Sequence, residues 1–139
     1  MPGLAEPDNP ELRRSYSSKE MKLHTCAKLN DDGSVTGKGC PSSLVVFGPY
    51  VSVPGRSEVQ LRFDIESPRE LQLTSDMISD SAKQFHGALD ELLLSAHAKR
   101  SVSYRLHVFE TARTLEARIG LRAQGPIDFT ITNLSLNIR

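Results

Sequence analysis

Three stretches of this 139-residue chain place polar and ionisable side chains at every second position. Glu58–Ile65 carries Gln60, Arg62 and Asp64; Ser101–Val108 carries Arg105 and His107, with Phe109 just beyond; Leu115–Arg122 carries Glu116, Arg118 and Arg122. Alternate residues of an extended strand share a face, so each set lines one side of its strand. If the three strands share a sheet, the face away from the core is dense in guanidinium and imidazole donors with carboxylates interleaved. The planar fork of arginine suits the hydroxyls and carboxylates of acidic sugars, which makes such a face a saccharide platform. The competing reading is a solvated face on which Arg62, Asp64, Glu116 and Arg118 pair across strands, each pair contributing about a few tenths of a kcal/mol.

Catalytic signatures are missing. No Walker loop or Gly-x-Gly-x-x-Gly is present, and Gly33, Gly37 and Gly39 have the wrong spacing for a phosphate cradle. Neither a Gly-x-Ser-x-Gly elbow nor His-Glu-x-x-His occurs. His24, His86, His97 and His107 lie far apart, and no pair has metal-ligand spacing. The expectation is a non-enzyme without cofactor or metal; an enzyme would need these histidines to converge on folding. Cys26 and Cys40 offer either a disulfide closing a turn-rich loop or two reduced thiols, and the lack of a signal peptide favours the thiols. Asp31-Asp32-Gly33 offers oxygens to calcium, but Asp-Gly is first a turn signal and no third ligand is visible.

Lys plus Arg and Asp plus Glu both number 17, which gives zero net charge and a pI near 6.9. That balance argues against a dedicated nucleic-acid binder and against a polybasic membrane-surface protein. The longest aliphatic or aromatic run is Leu44–Phe47, far short of the roughly 20 residues of a membrane helix. The N-terminus has neither a basic start nor an apolar stretch, which predicts a chain cytoplasmic on synthesis, whether or not it joins a released particle or surface assembly. Pro2, Pro7 and Pro10 with mixed charges mark residues 1–14 as a flexible or partner-docked arm. Residues 15–139 form one domain, with a protein partner or a second copy reached through the arm.

Period two dominates that domain. Val59, Leu61, Phe63 and Ile65 form one apolar set; Val102, Tyr104, Leu106 and Val108 a second; Leu115, Ala117, Ile119 and Leu121 a third. At the C-terminus Ile127, Phe129 and Ile131 give way to Leu134, Leu136 and Ile138, a phase jump near Thr132–Asn133 that predicts a β-bulge or a bend between sheets. Shorter strands are expected at Met21–Thr25, Leu44–Phe47 and Leu71–Ile78, with Phe47 and Phe63 in the core. Turn signals at Asn30–Gly33, Pro54-Gly55, Ser67-Pro68 and Gln124–Pro126 separate the runs. The prediction is an all-β, antiparallel two-sheet sandwich of jelly-roll type. Ser81–Arg100 resists it: Phe85, Ala88, Leu89, Leu92, Leu93 and Ala96 follow a helical stripe, capped by Asp80 or Ser81, although Gly87 sits inside it.

The segment Leu44–Ile65 joins a short apolar strand, Gly48-Pro49-Tyr50, Pro54-Gly55 and an alternating strand. In that order it resembles carbohydrate-associated β-sandwich modules often appended to bacterial glycosyltransferases. Leu115–Arg122, Gly125 and a closing alternating strand look like the end of the same module, so the resemblance covers residues 21–139. It implies short strands at Lys83–Gly87 and Glu91–Ala96, and strands are the reading adopted, with one short helix within 81–100 as the alternative. No glycosyltransferase domain is attached, which predicts a free-standing module. Tyr50 then stacks on a sugar ring or packs on the core edge with its hydroxyl at the surface. The resemblance implies a non-catalytic, lectin-like polysaccharide-binding module, and the polar strand faces together with Tyr50 supply its candidate site: Tyr50, Arg62, Asp64, Arg105, His107 and Arg118. The alternative is an adhesion or decoration subunit of a larger assembly.

Overall fold

The structure, a computed structural model, describes residues 13–139. The arm expected over residues 1–14 therefore lies outside the described residues except at its end, where Arg14 already belongs to a strand. The strands are β1 (Arg14–Ser17), β2 (Lys22–Leu23), β3 (Ala27–Leu29), β4 (Val35–Cys40), β5 (Ser43–Val53) and β6 (Ser57–Glu66). After them come β7 (Leu71–Ser79), β8 (Gln84–Leu94), β9 (Arg100–Val108), β10 (Ala112–Arg122) and β11 (Ile127–Ile138). Among the described residues one 3-10 turn, Ser18–Glu20, is closed by reciprocal bonds between Ser17 and Glu20.

Two antiparallel sheets result. The first runs β3-β4-β11-β6-β9, with β1 also paired to β11; the second runs β2-β5-β10-β7-β8. From β4 to β7 successive strands alternate between sheets, which is the jelly-roll-like sandwich expected from the alternation. Val59, Leu61, Phe63 and Ile65 of β6 and Leu115, Ala117, Ile119 and Leu121 of β10 turn inward and are buried. Each large aliphatic or aromatic side chain so buried contributes about 1.5–3 kcal/mol. The phase jump in β11 is a bulge: pairing passes from Thr132–Asp64 to Ser135–Arg62, and Asn133 adopts φ 55°.

Two expectations need correction. Residues 84–94 form one strand, neither a helix nor two short strands. Asp80, Ser81 and Ala82 have positive φ and make a turn rather than a cap, and Gly87 sits at φ 145° where a Cβ would lie 2.6 Å from Leu106 Cδ2. Bulges in β8, one at His86 and one over Asp90–Glu91, bring Leu89 and Leu92 of the apparent helical stripe inward, while its Phe85, Ala88 and Leu93 face outward and are exposed. Cys26 and Cys40 are bridged, with 5.4 Å between Cα atoms, and not reduced. The bond ties the start of the β3–β4 hairpin to its end. A loop of 14 residues is stabilised by about 3 kcal/mol in the chain-entropy account.

Candidate functional site

The predicted site residues fall on opposite faces of the sandwich. Arg62, Asp64, Arg105 and His107 share the outer face of the first sheet, where Gln60 pairs with Arg105, Arg62 with Ser103, and Asp64 with Ser101. This face largely satisfies itself. Ser101 Oγ donates to Asp64 Oδ1 at 2.6 Å, Asn133 Nδ2 to Asp64 Oδ2 at 2.9 Å, and Gln60 Nε2 to Ser103 Oγ at 3.0 Å. Ser101 first, then Asn133, holds the Asp64 carboxyl below its ordinary value. Arg105 lies 4.0 Å from Glu58, and the His107 ring stands 6.3 Å from that of Phe109. Cross-strand contacts do occupy Asp64 and Gln60, but their partners are Ser101, Asn133 and Ser103 and not the Glu116 and Arg118 of the pairing weighed in sequence.

Arg118 and Tyr50 are elsewhere, because β10 belongs to the second sheet. Its outer face carries a straight row across all its strands: Lys22, Phe47, Arg118, Asp76 and Ala88 are successive register partners. Arg118 Nε and a terminal N–H donate to the two Asp76 oxygens, both at 2.6 Å, a bidentate pair left partly open to solvent. The Asp76 hydrogen bonds push the Arg118 guanidinium above its ordinary value. From beneath, the Tyr104 hydroxyl of β9 donates to Ser75 Oγ at 2.6 Å, and Ser75 Oγ donates to the Arg118 main-chain carbonyl at 2.7 Å. Burial pushes the Tyr104 hydroxyl up to about 12, so it stays a donor at ordinary pH.

Bulges in β5 decide what flanks this row. Val46 faces Ile119 and Leu44 faces Gly120, so Val45 is the extra residue, and Leu44 and Phe47 turn outward. Phe47 is therefore half-buried on the outer face and not in the core. Pro49 faces Glu116 and Val51 faces Leu115, so Tyr50 is a second extra residue, at φ 64°. A bulge re-aims its side chain: the Tyr50 ring is exposed, with Lys22 Nζ 5.2 Å from its centroid. Burial and then the Glu116 carboxylate beside it raise the Tyr50 hydroxyl above its ordinary value. On the other side of Arg118, Gly120 floors a recess of about 220 Å³ lined by Leu44, Thr74 and Arg122. A Cβ on Gly120 would stand 2.7 Å from Thr74 Oγ1 and fill it.

Aromatic rings, a fixed guanidinium–carboxylate pair and a glycine-floored recess thus follow one another along β10. Sequence reasoning missed Phe47, Asp76 and Lys22. The alternation of Gln72, Thr74 and Asp76 signalled an outward carboxylate on β7, but its partner is set by register. No metal-holding group of three His, Cys, Asp or Glu occurs among the described residues. Asp32, weighed for calcium, instead accepts from Ser34 N and Oγ within its turn. Among the described residues no helix is long and apolar enough to cross a membrane.

No family model matches the chain, and no curated protein does. Solved structures do. A structure described as CBM4 superposes at TM-score 0.60 with 8% identity, over 95% of this chain and 90% of its own. The C-terminal CBM6 of a marine laminarinase from Zobellia galactanivorans gives 0.57 at 14% identity, over 91% and 99%. The CBM22-1 xylan-binding domain of Paenibacillus barcinonensis Xyn10C gives 0.55 at 11% identity, over 90% and 92%. The chain has the fold of carbohydrate-binding modules. At these identities the likeness concerns the fold alone.

Proposed function

We propose that this chain is a non-catalytic, lectin-like carbohydrate-binding module that takes a polysaccharide segment along β10 on the outer face of the second sheet. The observation that carries the reading is the row Phe47–Arg118–Asp76, with the Tyr50 ring turned out beside it by a bulge. Phe47 and Tyr50 offer apolar ring surface to a sugar face. Asp76 engages Nε and one terminal N–H of Arg118, leaving the remaining guanidinium N–H groups for hydroxyls, while the Asp76 and Glu116 carboxylates accept. Tyr104 and Ser75 fix the strand from below, so little ordering is left for the ligand to impose. Similarity of fold to a xylan-binding domain and to a module of a laminarinase supports a polysaccharide as the ligand class. Of the residues singled out in sequence, Tyr50 and Arg118 remain in this site.

Affinity electrophoresis against soluble β-1,3-glucan, xylan and β-1,4-galactan tests it. Wild type is expected to be retarded by at least one polymer. Arg118→Ala and Tyr50→Asn, the latter chosen because Asn tolerates positive φ, should weaken binding tenfold or more while circular dichroism stays unchanged. Arg62→Ala and Arg105→Ala should bind as wild type. Retardation by no polymer, or loss confined to the Arg62 and Arg105 variants, would overturn the proposal.

A further inference from the structure

A recess of about 600 Å³ opens on the outer face of the first sheet, where β3, β4, β11 and β6 run side by side. That volume lies in the range of sites for small ligands. Register builds its floor. Lys28, Thr36, Thr130 and Glu66 are successive partners across the four strands, so two hydroxyls stand in line between an ammonium and a carboxylate. Three strand spacings set the ends about 14 Å apart, too far for Lys28 and Glu66 to pair over the threonines. Further along the same strands, Lys38 of β4 and Asp128 of β11 also line the recess, and Asp128 Oδ1 accepts from Gly39 N at 2.7 Å. His97 and Pro68 close the β6 side. Lys99, one residue before the Arg100 that pairs with Ile65, stands beside Glu66 but outside the lining. Among the described residues the lining therefore holds two ammonium groups and two carboxylates, and their balance selects neither an anion nor a cation.

The rim is held by the protein itself. Cys26, at the entry to β3, is bonded to Cys40 at the end of β4. Asn30 Nδ2 donates to Thr36 Oγ1 at 3.2 Å. Ser67 Oγ donates to the Asp128 carbonyl at 2.7 Å, and the Ser67 carbonyl accepts from His97 N at 2.7 Å. By contrast, among the described residues the side chains of Lys28, Lys38, Glu66 and Thr130 have no hydrogen-bond or ion-pair partner. Unused donors and acceptors on a fixed rim suit a ligand whose groups do both. We propose that this recess is a second saccharide site, taking a neutral sugar whose hydroxyls accept from Lys28 and Lys38 and donate to Glu66, with Thr130 serving either way. Pro68 and the threonine methyl groups supply carbon surface. The lining Phe129 is buried, so the recess lacks the exposed ring surface of the β10 face and is the weaker site by tenfold or more. The inference rests on the carbohydrate-binding reading but uses the opposite sheet, so one module holds two glycan segments on opposite faces.

The test follows backbone amide and threonine methyl signals by NMR during titration with xylotriose, laminaritriose and β-1,4-galactotriose, with sodium glucuronate as the charged control. Signals of Lys28, Thr36 and Thr130 are expected to shift saturably with at least one neutral trisaccharide, at a midpoint tenfold or more above that of Phe47 and Arg118. Lys28→Ala combined with Glu66→Ala removes two exposed side chains that hold nothing in the fold, so urea unfolding should match wild type. In that variant the recess midpoint should rise tenfold or more while the Phe47 and Arg118 signals titrate as before; Arg118→Ala should do the reverse. Recess shifts that stay linear, or that saturate with glucuronate and no neutral sugar, would overturn the proposal. A silent recess beside saturating Phe47 and Arg118 signals would sink the recess alone. Saturation at the recess with none at Phe47 or Arg118 would support the recess and sink the second-sheet site.

Discussion

Tyr50 owes its position to one additional residue in β5. The bulge places it out of the strand's alternation, at a positive φ that a bulky residue seldom adopts. Left-handed backbone at such a residue costs about 1–3 kcal/mol and is kept where the surroundings impose it. Asp64 shows the opposite economy, since Ser101 and Asn133 occupy its two oxygens and hold its carboxyl below the ordinary 3.8. Because the folded-state value is depressed, the stabilisation is present above the unfolded value and is lost as pH falls through the folded one. A carbon-detected NMR titration should place the Asp64 midpoint below 3.8, and Ser101→Ala should move it back up. A midpoint at or above the ordinary value would contradict these hydrogen bonds. The sequence alone made Arg62, Asp64, Arg105 and His107 legible as one outward set, because their two strands do pair. It could not show that Asp64 is satisfied by Asn133, whose approach depends on a bulge in a third strand.

The elements were readable where alternation runs uninterrupted. β6, β9 and β10 keep strict period two over eight residues or more, and even the bulge at Asn133 was visible because long apolar sets flank it on both sides. β5 and β8 were not, for the same physical reason. Extra residues at Val45, Tyr50, His86 and Asp90–Glu91 shift the phase inside short runs, so Phe47 looked like core and β8 looked helical. Close approach between strands is another element-scale feature. Gly37 of β4 lies directly opposite Phe129 of β11, and a Cβ there would overlap the Phe129 ring, which is buried. Gly37→Ala is expected to lower unfolding free energy by about 1–3 kcal/mol, read by urea denaturation, because the Phe129 ring must shift to admit the added carbon. Wild-type stability in that variant would show the contact to be slack.

At the scale of the molecule, the sandwich offers two unlike outer faces from one core. The first sheet's face is laced by its own hydrogen bonds. The second sheet's face presents rings, an ion pair and a glycine-floored hollow in line. The two are coupled through the interior, since the Tyr104 hydroxyl from the first sheet reaches Ser75 under Arg118 in the second. Fold class was open to sequence reasoning because alternation sorts residues into inside and outside. Which outside a strand belongs to is a matter of topology: β10 alternates just as β6 and β9 do, yet it crosses to the other sheet and takes Arg118 with it. The central claim is that glycan lies along β10. The most direct measurement is amide shift mapping of the labelled chain with short oligosaccharides of β-1,3-glucan, xylan and β-1,4-galactan. Saturable shifts centred on Phe47, Tyr50, Asp76 and Arg118 are the predicted result. No saturable shift with any of them, or shifts centred on Arg62 and Arg105, would contradict it.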